Sequence, residues 1–512
     1  EYYEVPSEKP KARRTVADIP RFGEAGIAKY RYAVNGGVGR DGQKHFPLKT
    51  VAEDELTHRF AQAHQALWGG GELNPSDAFD EFDKLVFCKI WDERKERDNG
   101  EPYDFQVIDE GTMEQTNDAL LKRLKRLYEE GRKKAPEVFK DDISLSAAKV
   151  KTVVSYLEDV NLSATDLDAK GRAFETFMTS FFRGNFGQFF TPRAVVKFIV
   201  DVLPIKSESR VLDTSCGSGG FLLHALDKVR KAAEKRYGAS TPGCYKSWHD
   251  FAEKRLFGIE INEQIARTAK MNMIIHDDGH TNVVASDGLL PISDIASKTW
   301  NRGFLEPFDF IITNPPFGST IRQTEHAYLS LYSLSERGVD WLNPKSKAAQ
   351  RPGVSSEVLF IEQCWHFLVE GGYLAIVIPD GILTNASMQY VRNWLMEKYR
   401  ILAVVSLPQT TFMSTGAGVK SSVLFLRKRS AKASQRIHDA KLSLQSGIAG
   451  KGRLVERLAE IEKKRKTEVS DLDHKPEFAA LAAKERKANT DYKAAYAEIA
   501  AEAEKATAEL RE

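Results

Sequence analysis

A carboxamide, two prolines and an aromatic ring stand in a row at Asn314-Pro315-Pro316-Phe317, directly after the apolar run Phe308-Asp309-Phe310-Ile311-Ile312-Thr313. The run is short and partly β-branched, and it reads as a buried strand that the double proline ends. Pro315 also biases Asn314 toward an extended conformation. The strand therefore delivers an amide, a stiff backbone carbonyl and a ring to one edge of a sheet, where open α/β sheets bind ligands. An exocyclic amine on a purine is a poor nucleophile because its lone pair is delocalised into the ring. If the Asn314 side-chain oxygen and the Pro315 carbonyl each accept one amine hydrogen, the lone pair is freed to attack a methyl donor. Fixed dipoles then meet the developing positive charge. Phe317 would stack on the ring and hold it in line. Asn314, Pro315, Pro316 and Phe317 are thus the candidate catalytic residues; the plain alternative is a Pro-Pro turn with Phe317 filling core.

The elements that must position this turn alternate between strands and helices from Gly171 onward, the pattern of a parallel sheet covered by helices. Gly187-Gln188-Phe189-Phe190-Thr191-Pro192-Arg193 leads into a helix carrying Val195, Val196, Ile199 and Val202. Val211-Leu212-Asp213-Thr214-Ser215-Cys216-Gly217-Ser218-Gly219-Gly220 reads as a strand turning through glycines into another helix. Glycines let backbone approach a ligand, and the helix amino end favours a carboxylate such as that of a methionine moiety. Leu256-Phe257-Gly258-Ile259-Glu260 reads as the next strand, ending in an acid, and Ser286-Asp287-Gly288 follows a third. The glycines lack the spacing of a dinucleotide site and the Lys-Ser/Thr of a P-loop. What carries weight is the order: glycine turn, strand-end acid, Ser-Asp-Gly and Asn-Pro-Pro-Phe, each at the carboxyl end of an expected strand.

Flanking this fold, residues 1–50 read as an extended arm and 51–170 as a helical domain, opened by the start signal Asn74-Pro75-Ser76-Asp77. Lys122, Arg123, Lys125 and Arg126 form a basic helix face, open to a phosphate or a solvated reading. The segment from Gly318 to Ser355 is polar and irregular, expected to be a flap that orders over a substrate. A helix then stops at Gly371-Gly372 and feeds a strand, and a strand near Ser422–Leu426 closes the sheet. The catalytic fold thus spans 171–430. Residues 431–512 are Lys-, Glu- and Ala-rich, with a seam at Tyr492, Tyr496, Ile499, Ala503, Ala506 and Leu510. That seam can pair with the stretch around Leu454, Leu458 and Ile461 as a hairpin, or with a partner.

Composition narrows the class. With 512 residues, 42% apolar and 29% charged, the chain is long enough for two or three domains. A formal net charge of +2 leaves any nucleic-acid surface local. Four dispersed cysteines suggest neither a zinc site nor a disulfide framework and fit a cytoplasmic protein. No run reaches membrane-spanning length.

The conjunction of motifs resembles the adenine-methylating DNA methyltransferases, and with Phe-Thr-Pro ahead of the glycine turn it most resembles the modification subunit of type I restriction-modification systems. The resemblance covers roughly residues 50–430, including Leu407, Pro408 and Phe412 of a Leu-Pro-x-x-x-Phe pattern. It implies a doubly wound, Rossmann-like α/β domain that uses S-adenosylmethionine, with an N-terminal helical domain and a C-terminal coiled-coil tail. It places Phe190 and Thr191 beside the donor's methionine, Asp213, Gly217 and Gly219 around the donor, Glu260 on ribose and Asp287 on the donor's adenine. Phe412 joins Phe317 at a flipped base or packs in the core. No metal is required, because the sulfonium is already activated. The implied partners are double-stranded DNA, a specificity subunit on which the tail docks, and a restriction subunit, with two copies of this chain per complex. Two rivals remain: a methyltransferase of the same fold acting on ribosomal RNA guanine or a release-factor glutamine, and a non-catalytic scaffold.

Overall fold

The computed structural model describes residues 2–4, 14–16, 31–38, 44–69, 73–134, 141–165, 167–182, 191–238, 241–276, 282–299, 301–322, 326–343, 346–413 and 418–511. They form two units. The first takes residues 1–317, 363–386 and 401–428; the second takes 318–362, 387–400 and 429–512.

The first unit is built on a seven-stranded sheet. Its strands are β1 Val211–Asp213, β2 Leu256–Glu260, β3 Val283–Ala285, β4 Phe308–Thr313, β5 Leu368–Pro379, β6 Tyr399–Ser406 and β7 Ser421–Lys428, in the order β6-β7-β5-β4-β1-β2-β3. β1, β2, β3, β4 and β5 run parallel, and β7 lies antiparallel to β5. β1, β2 and β4 are buried along nearly their whole length, which is why they read as continuous apolar runs rather than alternations. Two expectations change here. The strand at 421–428 sits inside the sheet, and β6 takes the edge. Gly371, at φ 79°, marks an irregularity of β5 between Leu368 and Tyr373, because the helix before it already ends at Phe367.

Five helices precede the sheet: α1 Glu53–Trp68, α2 Pro75–Arg94, α3 Met113–Lys134, α4 Ala147–Leu157 and α5 Leu167–Phe182. The Asn74 side chain accepts from Asp77 N at 2.9 Å and caps α2 as its sequence suggests. The expected boundary at residue 170 falls inside α5. Phe174 and Phe177 are buried among Phe60, Phe79 and Phe82, with Phe79 and Phe177 stacked at 5.5 Å. After α6 Arg193–Val202, α7 Gly220–Tyr237 and α8 Pro242–Arg255 comes α9 Glu263–Ile275, whose Ile265, Met271, Ile274 and Ile275 join the same core and whose Arg267 pairs with Asp80 of α2 at 2.9 Å. The helical domain is therefore one body with the sheet, not an appendage. Nor is residue 31 onward a loose arm: Gln106 accepts from both Arg31 N and Tyr32 N at 2.8 Å. On the basic face of α3, Arg123 is turned inward onto the Asp104 and Gln106 carbonyls, which leaves Lys122 and Lys125 exposed.

In the second unit the segment after Phe317 is more regular than its sequence suggests. Thr320–Arg322 pairs antiparallel with Gly353–Ser355, and Glu336–Arg337 with Ala349–Gln350. Glu362 anchors it by accepting from Ser333 N, Ser333 Oγ and Leu334 N at 2.7–2.9 Å. Further on, helices Ala431–Gly452, Leu454–Asp473 and Thr490–Arg511 follow one another, the last two forming a hairpin.

Candidate active site

Helix α7, Gly220–Tyr237, starts from a turn that only glycine holds easily: Gly217 has φ 51° and Gly219 φ 87°. Gly219 N closes the turn on Cys216 O, and Cys216 N is tied to Ile259 O of β2, each at 2.8 Å. The acid at the end of β2 completes the tie, Glu260 accepting from Gly217 N at 3.0 Å and from Asn262 N at 2.9 Å. A β-carbon built on Gly217 would meet nothing within 4 Å, so open space lies where a small molecule's polar end can reach the backbone.

Beneath the turn, hydroxyls bind β1 to β4. Thr313, fully buried, stands 3.1 Å from Thr214 Oγ1 and 2.9 Å from Ser215 Oγ. Asp213 accepts from Ser215 N at 3.1 Å and from Thr313, and burial lifts its carboxyl to a pKa of about 7. Asp213 is thus spent inside the scaffold. After β3, Ser286 N donates to Glu260 O, and Asp287 accepts from Leu289 N at 2.9 Å while staying partly exposed.

At the end of β4, Asn314 Nδ2 donates to Thr191 Oγ1 at 2.9 Å. Its other end, Oδ1, is buried without a hydrogen-bond partner among the described residues. Pro315 is buried and Pro316 exposed, and Phe317 is half-buried against the apolar cluster that holds Phe310, Leu407 and Phe412. Phe412 itself is only 3% exposed, so it sits in that core rather than as an open ring. Phe190 lies outside the described residues.

The structure thus gathers Thr191, Asp213, Gly217, Gly219, Glu260, Asp287, Asn314 and Phe317 at the carboxyl ends of parallel strands. Sequence reading missed Thr313, whose type and place one residue before Asn314 were the available signal. It also missed Asn272, whose Nδ2 holds Ser218 O at 3.0 Å, and Gln363, which holds the Gly288 and Leu290 carbonyls. These lie on later helices, and sequence offers no signal for them. Among the described residues no cluster of acids, histidines or cysteines is placed to hold a metal ion. No helix of those residues is long and apolar enough to cross a membrane. All four cysteines are free and buried.

Comparison with known proteins agrees with this geometry. Residues 165–507 match the family model described as N-6 DNA methylase. The methylase subunit of the type I restriction enzyme EcoEI of Escherichia coli is 25% identical over 374 residues, 67% of this chain and 69% of its own. The MpnII methylase subunit of Mycoplasma pneumoniae is 25% identical over 57% of this chain and 50% of its own length. Among solved structures, a type I restriction-modification methyltransferase subunit from Streptococcus thermophilus superposes with a TM-score of 0.51. It is 18% identical, with 77% of this chain and 94% of that one covered, a likeness of fold.

Proposed function

The chain belongs to the N-6 DNA methylase family, and from that premise we propose that it methylates the exocyclic amine of a flipped adenine in double-stranded DNA, with Asn314, Pro315 and Phe317 performing the chemistry. One observation carries the reading. At the end of β4 the Asn314 amide has its nitrogen engaged by Thr191 and its oxygen buried and unpartnered. A buried acceptor without a donor is costly in a resting protein and is explained by a donor that arrives with substrate.

S-adenosylmethionine, when bound, supplies an electrophilic methyl group already activated by its sulfonium. The residues present fit it: open space over Gly217, a helix amino end after Gly219, the Glu260 carboxylate at the end of β2 beside that turn and a partly exposed Asp287 carboxylate. Asn314 Oδ1 and the Pro315 carbonyl take the two amine hydrogens, which turns the nitrogen lone pair out of conjugation. The same two dipoles would hold the positive charge as the nitrogen–methyl bond forms and the methyl–sulfur bond breaks, after which the nitrogen would shed one proton to water, and so they act mainly in the transition state. Phe317 stacks on the base once it has left the duplex. Phe412, within the core, backs the cluster on which Phe317 rests. The family is one of DNA methylases, which favours DNA over ribosomal RNA or a release-factor amide. The unpartnered Oδ1 argues against a retired scaffold.

The relatives' names place them as methylase subunits of type I restriction enzymes, and we read this chain as the corresponding modification subunit. It would work in the cytoplasm with a separate specificity subunit and a restriction subunit, two copies to a complex. Asn314→Ala tests the chemistry. Single-turnover methylation of DNA should fall about two to three orders of magnitude, while S-adenosylmethionine affinity by calorimetry stays unchanged. A near-normal single-turnover rate would refute the assignment.

A further inference from the structure

We propose that Thr191 is a positioning residue for Asn314, fixing the rotation of its carboxamide so that the oxygen faces the substrate amine. The inference rests on the reading of Asn314 as the amine's acceptor. A carboxamide has two ends of nearly equal size, and only one works: rotated by half a turn, Asn314 would present N–H donors to the N–H bonds it must accept. Something must hold the rotation. In this structure that is the hydrogen bond from Asn314 Nδ2 to Thr191 Oγ1, at 2.9 Å across 123 residues of sequence.

Both ends of that bond are stiff. Thr191 precedes Pro192, which confines its backbone to extended conformations. The Pro192 carbonyl accepts from Val195 N at 2.9 Å and Val196 N at 3.1 Å, starting helix α6, Arg193–Val202. Val195, Val196, Ile199 and Val200 of α6 are buried in the same apolar cluster as Phe310 and Ile312 of β4. Packing thus locks the hydroxyl's perch to the strand that carries Asn314. The resemblance puts Thr191 beside the donor's methionine; here its hydroxyl oxygen accepts from the Asn314 amide, which leaves the O–H as a donor.

Thr191→Val removes the acceptor at nearly constant volume, and Thr191→Ser keeps it. The experiment measures single-turnover methylation of DNA at saturating S-adenosylmethionine by the full chain with its partner subunits. It also measures donor affinity of the full chain by calorimetry. Thr191→Val should slow the methyl-transfer step about tenfold to a hundredfold with donor affinity unchanged, and Thr191→Ser should restore most of the rate. In an Asn314→Ala background Thr191→Val should cost nothing further. Weakened donor binding with a normal rate at saturation would place Thr191 on the donor and overturn the proposal. So would a Thr191→Ser enzyme as slow as Thr191→Val, or an undiminished effect in the Asn314→Ala background. A wild-type rate for Asn314→Ala would fail the reading of Asn314 itself, whereas a slow Asn314→Ala beside a normal Thr191→Val would fail only the positioning role.

Discussion

Gly217 separates two demands that one residue meets: a backbone at φ 51° and a surface with no side chain. The first demand alone tolerates asparagine at modest cost. The second tolerates nothing branched, if the open space over it is where the donor lies. Gly217→Val should therefore abolish S-adenosylmethionine binding in calorimetry while the unfolding transition survives with a modest loss. Unchanged donor affinity would refute the assignment of the turn. Local motifs made this residue, Glu260 and Asn314 legible, because glycine, a strand-end acid and Asn-Pro-Pro each carry their conformation in neighbouring residues. Asp213 was equally visible but its job was not, since its acceptor duty toward Ser215 and Thr313 is set by burial under the turn. The Asn314–Thr191 bond was not legible at all, because nothing in either segment encodes the other.

At the scale of elements, apolar runs and start signals announced α2, α6, α7 and each parallel strand, whereas α5, α9 and the sharing of cores went unannounced. α2 meets α9 through Asp80 and Arg267, 187 residues apart, and no periodicity reports such a pairing. The same junction holds an oddity. Asp83 of α2 is fully buried, and neither carboxylate oxygen has a partner among the described residues. Burial, reinforced by the nearby Asp80, pushes its pKa well above the ordinary carboxylate value. The native protein therefore keeps a proton that the unfolded chain releases above pH of about 4. Stability is lost as pH rises from there toward the raised native value. Asp83→Leu removes the titration at similar volume. It should raise the unfolding free energy from denaturant titration by about 1–3 kcal/mol at pH 7 and by clearly less near pH 4. An equal or opposite effect at the two pH values would show that the carboxyl is stabilised by a charge after all.

At the scale of the whole molecule, a tail that docks a partner is our proposal, and the second unit says which of its apolar side chains are exposed. The seam read from Tyr492 to Leu510 is only partly used within the hairpin, for Tyr496 stays 40% exposed. Tyr492 is buried beside Phe478 and Leu472 and hydrogen-bonds Asp473 at 2.8 Å, while Ile461, Ala506 and Leu510 line an open groove at the other end. The spacing of that seam was legible as a coiled coil, and of its two readings the hairpin is the one the structure contains. More strongly exposed apolar side chains stand on helix Ala431–Gly452: Leu442, Leu444 and Ile448 are 48%, 66% and 55% exposed. Single exposed apolar residues need no explanation, but Leu444 and Ile448, four residues apart on one face of a helix without a buried apolar side chain, are a candidate contact, whereas Leu442 lies on the opposite side. If a specificity subunit supplies base reading, the purified chain should bind S-adenosylmethionine yet methylate DNA weakly. Activity should appear when that subunit is co-expressed. Leu444→Asp with Ile448→Asp should then abolish co-purification and partner-dependent methylation, leaving donor binding and the unfolding midpoint unchanged because neither side chain is packed. Tyr492→Ala should instead lower the melting temperature of the tail by opening the hairpin. Robust site-specific methylation by the chain alone would refute the partner requirement, and intact co-purification of the double variant would move the contact elsewhere.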